Sequence, residues 1–125
     1  MTGEGVSRTL YWVGSSRDDL KGFPDKVQDH IGFALYQAQI GLKHRDAKPM
    51  AGIAPGLMEV VSRSSDGSWR AVYTVAFAEA LYVLHAFQKK SKRGTATPRQ
   101  EIELVRQRLK LAMRYHAAAY EKGER

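Results

Sequence analysis

Between residues 57 and 87 the chain passes through three β-branched and aromatic runs separated only by turn-length breaks. Strands joined by connections this short pair antiparallel, so the stretch predicts a meander. Residues 57–61 form the first run. Ser64, Ser65, Asp66 and Gly67 then supply a turn, with Asp66-Gly67 as its local hairpin signal. Residues 69–77 alternate, which puts Trp69, Ala71, Tyr73, Val75 and Phe77 on one face and Arg70, Val72, Thr74 and Ala76 on the other. Residues 80–87 make the last run after another short turn.

The flanking segments add helices to this sheet. Residues 8–13 read as a first strand, followed by Gly14, Ser15 and Ser16, and residues 18–21 as a short helical turn ending at Gly22. Pro24 suits the start of a longer helix, along which Val27, Ile31, Ala34, Leu35 and Ala38 recur at helical spacing before a stop at Gly41. Residues 42–56, rich in Gly, Pro and basic side chains, read as a connecting loop. The last helix has a clear start: Thr97 as N-cap, Pro98 at N1 and Gln100 at N3 match a capping box. Its apolar face is Ile102, Val105, Leu109, Ala112, Met113 and His116, and Arg106, Lys110 and Arg114 make a basic stripe elsewhere on it. The expectation is an α+β fold, a small and mostly antiparallel sheet (strand, helix, three-strand meander) with helices packed against it. At 125 residues the chain fits one domain spanning 1–125, with 1–8 flexible and 115–125 a helix end or tail.

Cysteine is absent, which excludes disulfides, thiol catalysis and thiolate metal sites and fits a reducing compartment. Residues 1–9 hold Gly3, Glu4 and Gly5 and no apolar core, and apolar runs elsewhere are too short to cross a bilayer. The expected location is the cytoplasm, with no membrane partner. The net charge of +7 is uneven: residues 85–125 carry 11 Lys/Arg against 4 Asp/Glu, whereas residues 1–84 carry nine of each sign. An excess confined to one third of the chain suggests a surface facing a polyanion; the competing reading is a set of solvated helix charges.

The basic residues gather at the meander ends. Arg63 closes the second strand, Arg70 opens the third across the turn, and the fourth runs into Gln88, Lys89, Lys90, Ser91, Lys92 and Arg93. Neighbouring strands lie about 5 Å apart, so residues at one end of a meander converge on a single patch. Such a patch binds phosphates, arginine by its fork and lysine as a point charge. Taken alone, residues 89–93 read equally well as a hydrophilic loop. Lys43, Arg45 and Lys48 in the long loop are further candidate contacts for such a polyanion, and His44 between them is exposed by context. Tyr73 shares the Trp69 face and reads first as core. His85, inside an apolar strand, reads first as a satisfied core histidine. His30 and His116 receive no role. No His/Asp/Glu spacing matches a metal site, and neither a Gly-rich phosphate loop nor a nucleophile triad occurs.

Residues 11–24, 31–35, 39–41, 47–50, 56–60, 69–73 and above all 84–90 before Thr97 and Pro98 resemble, in order, the phage-derived HigB-like branch of the RelE toxin superfamily. The resemblance runs from Leu10 to Leu109. It implies the toxin of a type II toxin–antitoxin pair that cuts mRNA in the ribosomal A site. The RNA's own 2′-hydroxyl attacks the adjacent phosphate, with neither metal nor cofactor. It also implies a helix-turn-helix, HigA-like antitoxin as partner, beside ribosome and mRNA. The family's strand arginine falls on Arg70 and its basic pair after the last strand on Lys89 and Lys90, with Lys92 a weaker match. Tyr73 and His85 are candidate proton-transfer groups, and Arg63 and Arg93 candidate RNA contacts. Two other readings compete: a non-catalytic basic module that blocks translation by occupying RNA or ribosome, and a phage-derived interaction protein.

Overall fold

The computed structural model describes residues 7–50, 52–90 and 96–121. In chain order the elements are β1 (Thr9–Trp12), α1 (Ser16–Lys21), α2 (Asp25–Gln39), β2 (Ala47–Pro49), β3 (Leu57–Ser64), β4 (Gly67–Thr74), β5 (Ala80–Lys89) and α3 (Arg99–His116), closed by a wider π-helical turn at Ala117–Glu121. The five strands form one sheet of order β1-β5-β4-β3-β2. The β2-β3-β4-β5 pairs are antiparallel and β1 joins the β5 edge in parallel. The expected α+β class with a mostly antiparallel sheet is what the chain adopts.

Helices cover both faces of that sheet. Helix α2 buries Val27, Ile31, Ala34, Leu35 and Ala38, the five residues its spacing selects, against Val60, Ala71, Tyr73, Leu81 and Val83. On the opposite face Val105 and Ala112 of α3 pack with Val72, Tyr82 and Leu84. Farther along that face, Tyr11 and Tyr120 share a hydroxyl–hydroxyl hydrogen bond of 2.7 Å, and Tyr82 bonds His116 Nδ1 at 2.8 Å. This cluster anchors the C-terminal end of α3 and makes His116 a core residue.

Local expectations are corrected at several points. Residues 47–49 are not loop but an edge strand, with Lys48 opposite Glu59. The expected turn over Ser64, Ser65, Asp66 and Gly67 does form: Ser64 pairs with Gly67, Ser65 and Asp66 are its two loop residues, and Gly67 takes the positive φ of 120°. β4 ends at Thr74, so the alternation stops short of Phe77, which packs with Tyr82 on the α3 face instead of beside Trp69. Helix α3 begins at Arg99 with Pro98 as its N-cap and no side-chain cap, because the Thr97 hydroxyl is engaged elsewhere; Met113 lies exposed. Arg8, inside the segment expected to be flexible, donates from Nε to Phe77 O at 2.9 Å and from Nη1 to Ala38 O at 2.8 Å, which ties β1 to α2 and to the β4–β5 connection.

Candidate functional site

Side chains opposite one another in neighbouring strands project to the same face, so strand register places the site. Val61 pairs with Arg70 and Arg70 with Phe87; Glu59 pairs with Val72 and Val72 with His85; Arg63 pairs with Ser68 and Ser68 with Lys89. Three rows therefore bring Arg63, Arg70, Lys89 and His85 onto the α3 face at the end of the sheet nearest the start of that helix. Lys48, opposite Glu59, joins the same face from the edge strand.

At the centre Arg70 is 2% and Glu59 4% exposed. Arg70 Nη1 lies 3.4 Å from Glu59 Oε2 and Nε donates to Ser68 Oγ at 3.1 Å. Thr97 Oγ donates to Glu59 Oε2 at 2.8 Å and accepts from Arg70 Nη1 at 3.4 Å. That engagement is why Thr97 does not cap α3. The carboxylate balances the arginine charge in a region where an unpaired ion is costly.

Beside this pair, His85 Nε2 is 2.6 Å from Glu101 Oε1, and Nδ1 lies 3.5 Å from Arg108 Nη1. The imidazole stacks on Phe87 with ring centroids 4.9 Å apart. Arg108 is itself held by Leu84 O and Ser15 Oγ, each at 3.0 Å. The histidine is thus fixed in orientation by partners on α3 while remaining on the face that carries the cations. Lys89 is buried, whereas Arg63, Lys48 and Lys90 are exposed.

The remaining predicted residues fall elsewhere. Tyr73 lies on the α2 face, 1% exposed among Val60, Ala71 and Val83, and burial pushes its hydroxyl up to about 12. A proton-transfer role beside Arg70 is therefore corrected: the sheet itself stands between them. Lys43 donates to Ala47 O at 3.0 Å on the approach to β2 and lies beside Met58 and Tyr73, away from the Arg70 face, while Arg45 is exposed in the same connection. Lys92 and Arg93 lie outside the described residues. Sequence reasoning missed Glu59, hidden in an apolar strand, as well as Thr97, Glu101 and Arg108. It also gave no joint role to His30, His44 and Asp46, whose ligand atoms lie within 4.8 Å of one another on the α2 side, and His44, expected to be exposed, has a side chain only 12% exposed. Among the described residues no helix is long and apolar enough to cross a membrane.

No curated protein matches the chain. Among solved structures, a mutant of E. coli toxin RelE in the free state is 14% identical, with 84% of this chain and 97% of that one covered at a TM-score of 0.57. A second, the toxin–antitoxin complex RelBE2 from Mycobacterium tuberculosis, is 16% identical, with 70% and 98% covered at a TM-score of 0.46. The first likeness shows a RelE-like fold. Residues 18–110 match the family model described as phage derived protein Gp49-like (DUF891), and the chain belongs to that family.

Proposed function

We propose that this chain is a HigB-like toxin of a type II toxin–antitoxin pair, an mRNA endonuclease acting on translating ribosomes in the cytoplasm. One observation carries the reading: in a RelE-like fold, Arg63, Arg70, Lys89 and His85 come from three strands onto one face around a buried carboxylate. A cation-rich face suits RNA phosphates, and exposed Arg63, Lys48 and Lys90 supply the outer contacts.

Glu59 and His85 both stand opposite Val72, two strand spacings or about 10 Å apart at the backbone. The proposed step puts one phosphodiester between them, with the Thr97–Glu59 and His85–Glu101 hydrogen bonds opening to admit it. In the proposed step the ribose 2′-oxygen bonds to the adjacent phosphorus and its proton passes to the Glu59 carboxylate. The bond from phosphorus to the 5′-oxygen breaks, and His85 gives that oxygen a proton. Arg70 and Lys89 neutralise the charge gathering on the phosphorane. The products are a 2′,3′-cyclic phosphate and a 5′-hydroxyl. Mass spectrometry of the RNA ends tests this: a 3′-hydroxyl and a 5′-phosphate would overturn the step. The partner of such a toxin is a helix-turn-helix, HigA-like antitoxin.

A second reading has an observation in its favour. Arg70, Lys89 and His85 are each less than a tenth exposed, so among the described residues it is the exposed cations that meet RNA in this conformation. A module that blocks translation by occupancy needs no more than those, and it leaves the mRNA intact.

A further inference from the structure

On the face of the sheet away from Arg70, two histidines and an aspartate meet from separate parts of the chain. His30 projects from α2, His44 from the connection that follows it, and Asp46 stands immediately before β2. His30 Nε2 lies 2.8 Å and His44 Nδ1 3.8 Å from the same oxygen, Asp46 Oδ2. Ligands held at about 2.1 Å around a tetrahedral zinc ion stand about 3.4 Å from one another, and the two observed separations bracket that value.

We propose that His30, His44 and Asp46 bind one divalent transition cation of the zinc class, with water completing the coordination. Two imidazoles and a carboxylate form a borderline nitrogen and oxygen donor set that suits such a cation better than magnesium or calcium, which favour oxygen alone. The far nitrogen of His30 is already placed for the role: Nδ1 is 2.7 Å from the Ser62 hydroxyl, itself buried on β3. A metal-bound histidine gives its second N–H to such an outer partner, which sets the tautomer and aims the other nitrogen at the ion. Asp46 is exposed enough to admit water at the open position.

Two rearrangements accompany binding. His30 Nε2 gives up its 2.8 Å hydrogen bond to Asp46 Oδ2, and in the bound form the imidazole proton resides on Nδ1, facing the Ser62 hydroxyl. His44 Nδ1 now accepts a hydrogen bond from the Asp46 backbone N–H at 2.9 Å and exchanges it for the cation. The ion then joins α2 to the lead-in of edge strand β2. It stands on the opposite side of the sheet from His85, so the site is separate from the chemistry proposed above.

The test is isothermal titration of the full-length chain, free of any histidine tag, with zinc chloride. The expected result is one equivalent bound, and a visible absorption band of a four-coordinate site when cobalt(II) replaces zinc. His44→Ala and the near-isosteric Asp46→Asn, each confirmed folded by circular dichroism, weaken binding by about tenfold or more. Ser62→Ala weakens it by roughly 10- to 100-fold, as loss of an outer partner does. Glu79→Gln, at the remote His116 pair, leaves it unchanged. Absence of binding at micromolar zinc, or binding that survives both His44→Ala and Asp46→Asn, overturns the proposal.

Discussion

Arg70 and Glu59 meet diagonally across β3 and β4 with Nη1 3.4 Å from Oε2, both almost wholly out of solvent. The central cation of the candidate site therefore arrives already paired, and mutating it perturbs the fold as well as the chemistry. Removing one partner of a buried ion pair costs about 3–5 kcal/mol, and Arg70→Ala is expected to lose that much in urea unfolding. Arg70→Lys keeps a charge for Glu59 but lacks the fork, so it is expected to reduce RNA cleavage far more than it reduces stability.

Glu59→Gln and His85→Gln separate proton transfer from binding. If these groups take and give protons, each variant slows single-turnover cleavage by about 10²- to 10⁴-fold. Affinity of His85→Gln for a non-cleavable RNA carrying 2′-deoxy substitution is expected to stay within about threefold of wild type, because exposed Arg63, Lys48 and Lys90 make the outer contacts. Glu59→Gln also deprives Arg70 of its buried partner, so its cleavage is compared per folded molecule, with folding checked by urea unfolding. Equal losses in cleavage and affinity contradict the assignment.

Tyr73→Phe is the internal control, since the hydroxyl lies on the far face of the sheet. Cleavage is expected to be unchanged. Stability behaves differently: the folded hydroxyl is raised from 10.0 to about 12, so the folded chain holds its proton where the unfolded chain releases it. That stabilisation is complete below pH 10 and is lost as pH rises towards 12. The variant is expected to show a shallower fall in stability across that window, measured by chemical unfolding at stepped pH.

The exposed cations Arg63 and Lys90 are expected to act through phosphates alone. Each substitution by alanine should lower the dependence of log affinity on log salt by about 0.7 for single-stranded RNA, measured by fluorescence anisotropy. Stability should move by no more than about 0.5 kcal/mol, as for other surface changes.

Gly67 couples the hairpin turn to the site. It has a φ of 120°, and a Cβ placed there runs into the carbonyl oxygen of Lys89. Gly67→Ala therefore strains the turn and pushes on the backbone that carries Lys89. The expected loss is about 1–3 kcal/mol of stability, read by thermal unfolding, together with weaker cleavage.

The parts of the fold legible in the sequence are those governed by local periodicity. Helix α2 buries the residues its spacing selects because one apolar stripe suffices to dock a helix on a sheet. Strand β2 was illegible because three residues carry no alternation, and pairing with β3 alone makes Ala47–Pro49 a strand. Thr97 has the sequence context of a cap, yet Glu59, 38 positions away, offered its hydroxyl a stronger, charged acceptor. Glu59 itself sits in a run of apolar residues, where nothing local marks it as the partner of Arg70. Arg63, Arg70 and Lys89 share one face through strand register, and Tyr73 shows that parity along a strand, not proximity in sequence, decides which side a residue serves. His30, His44 and Asp46 come together only through the docking of α2 beside β2, which no local spacing encodes.

The most direct test of the central claim is primer extension on an mRNA in a reconstituted translation reaction, with and without the protein. The account predicts new 5′ ends at positions occupied by translating ribosomes, absent from the same mRNA without ribosomes and absent with Glu59→Gln. Translation halted on intact mRNA would contradict it and leave Arg63, Lys48 and Lys90 as the contacts of an inhibitor that only binds.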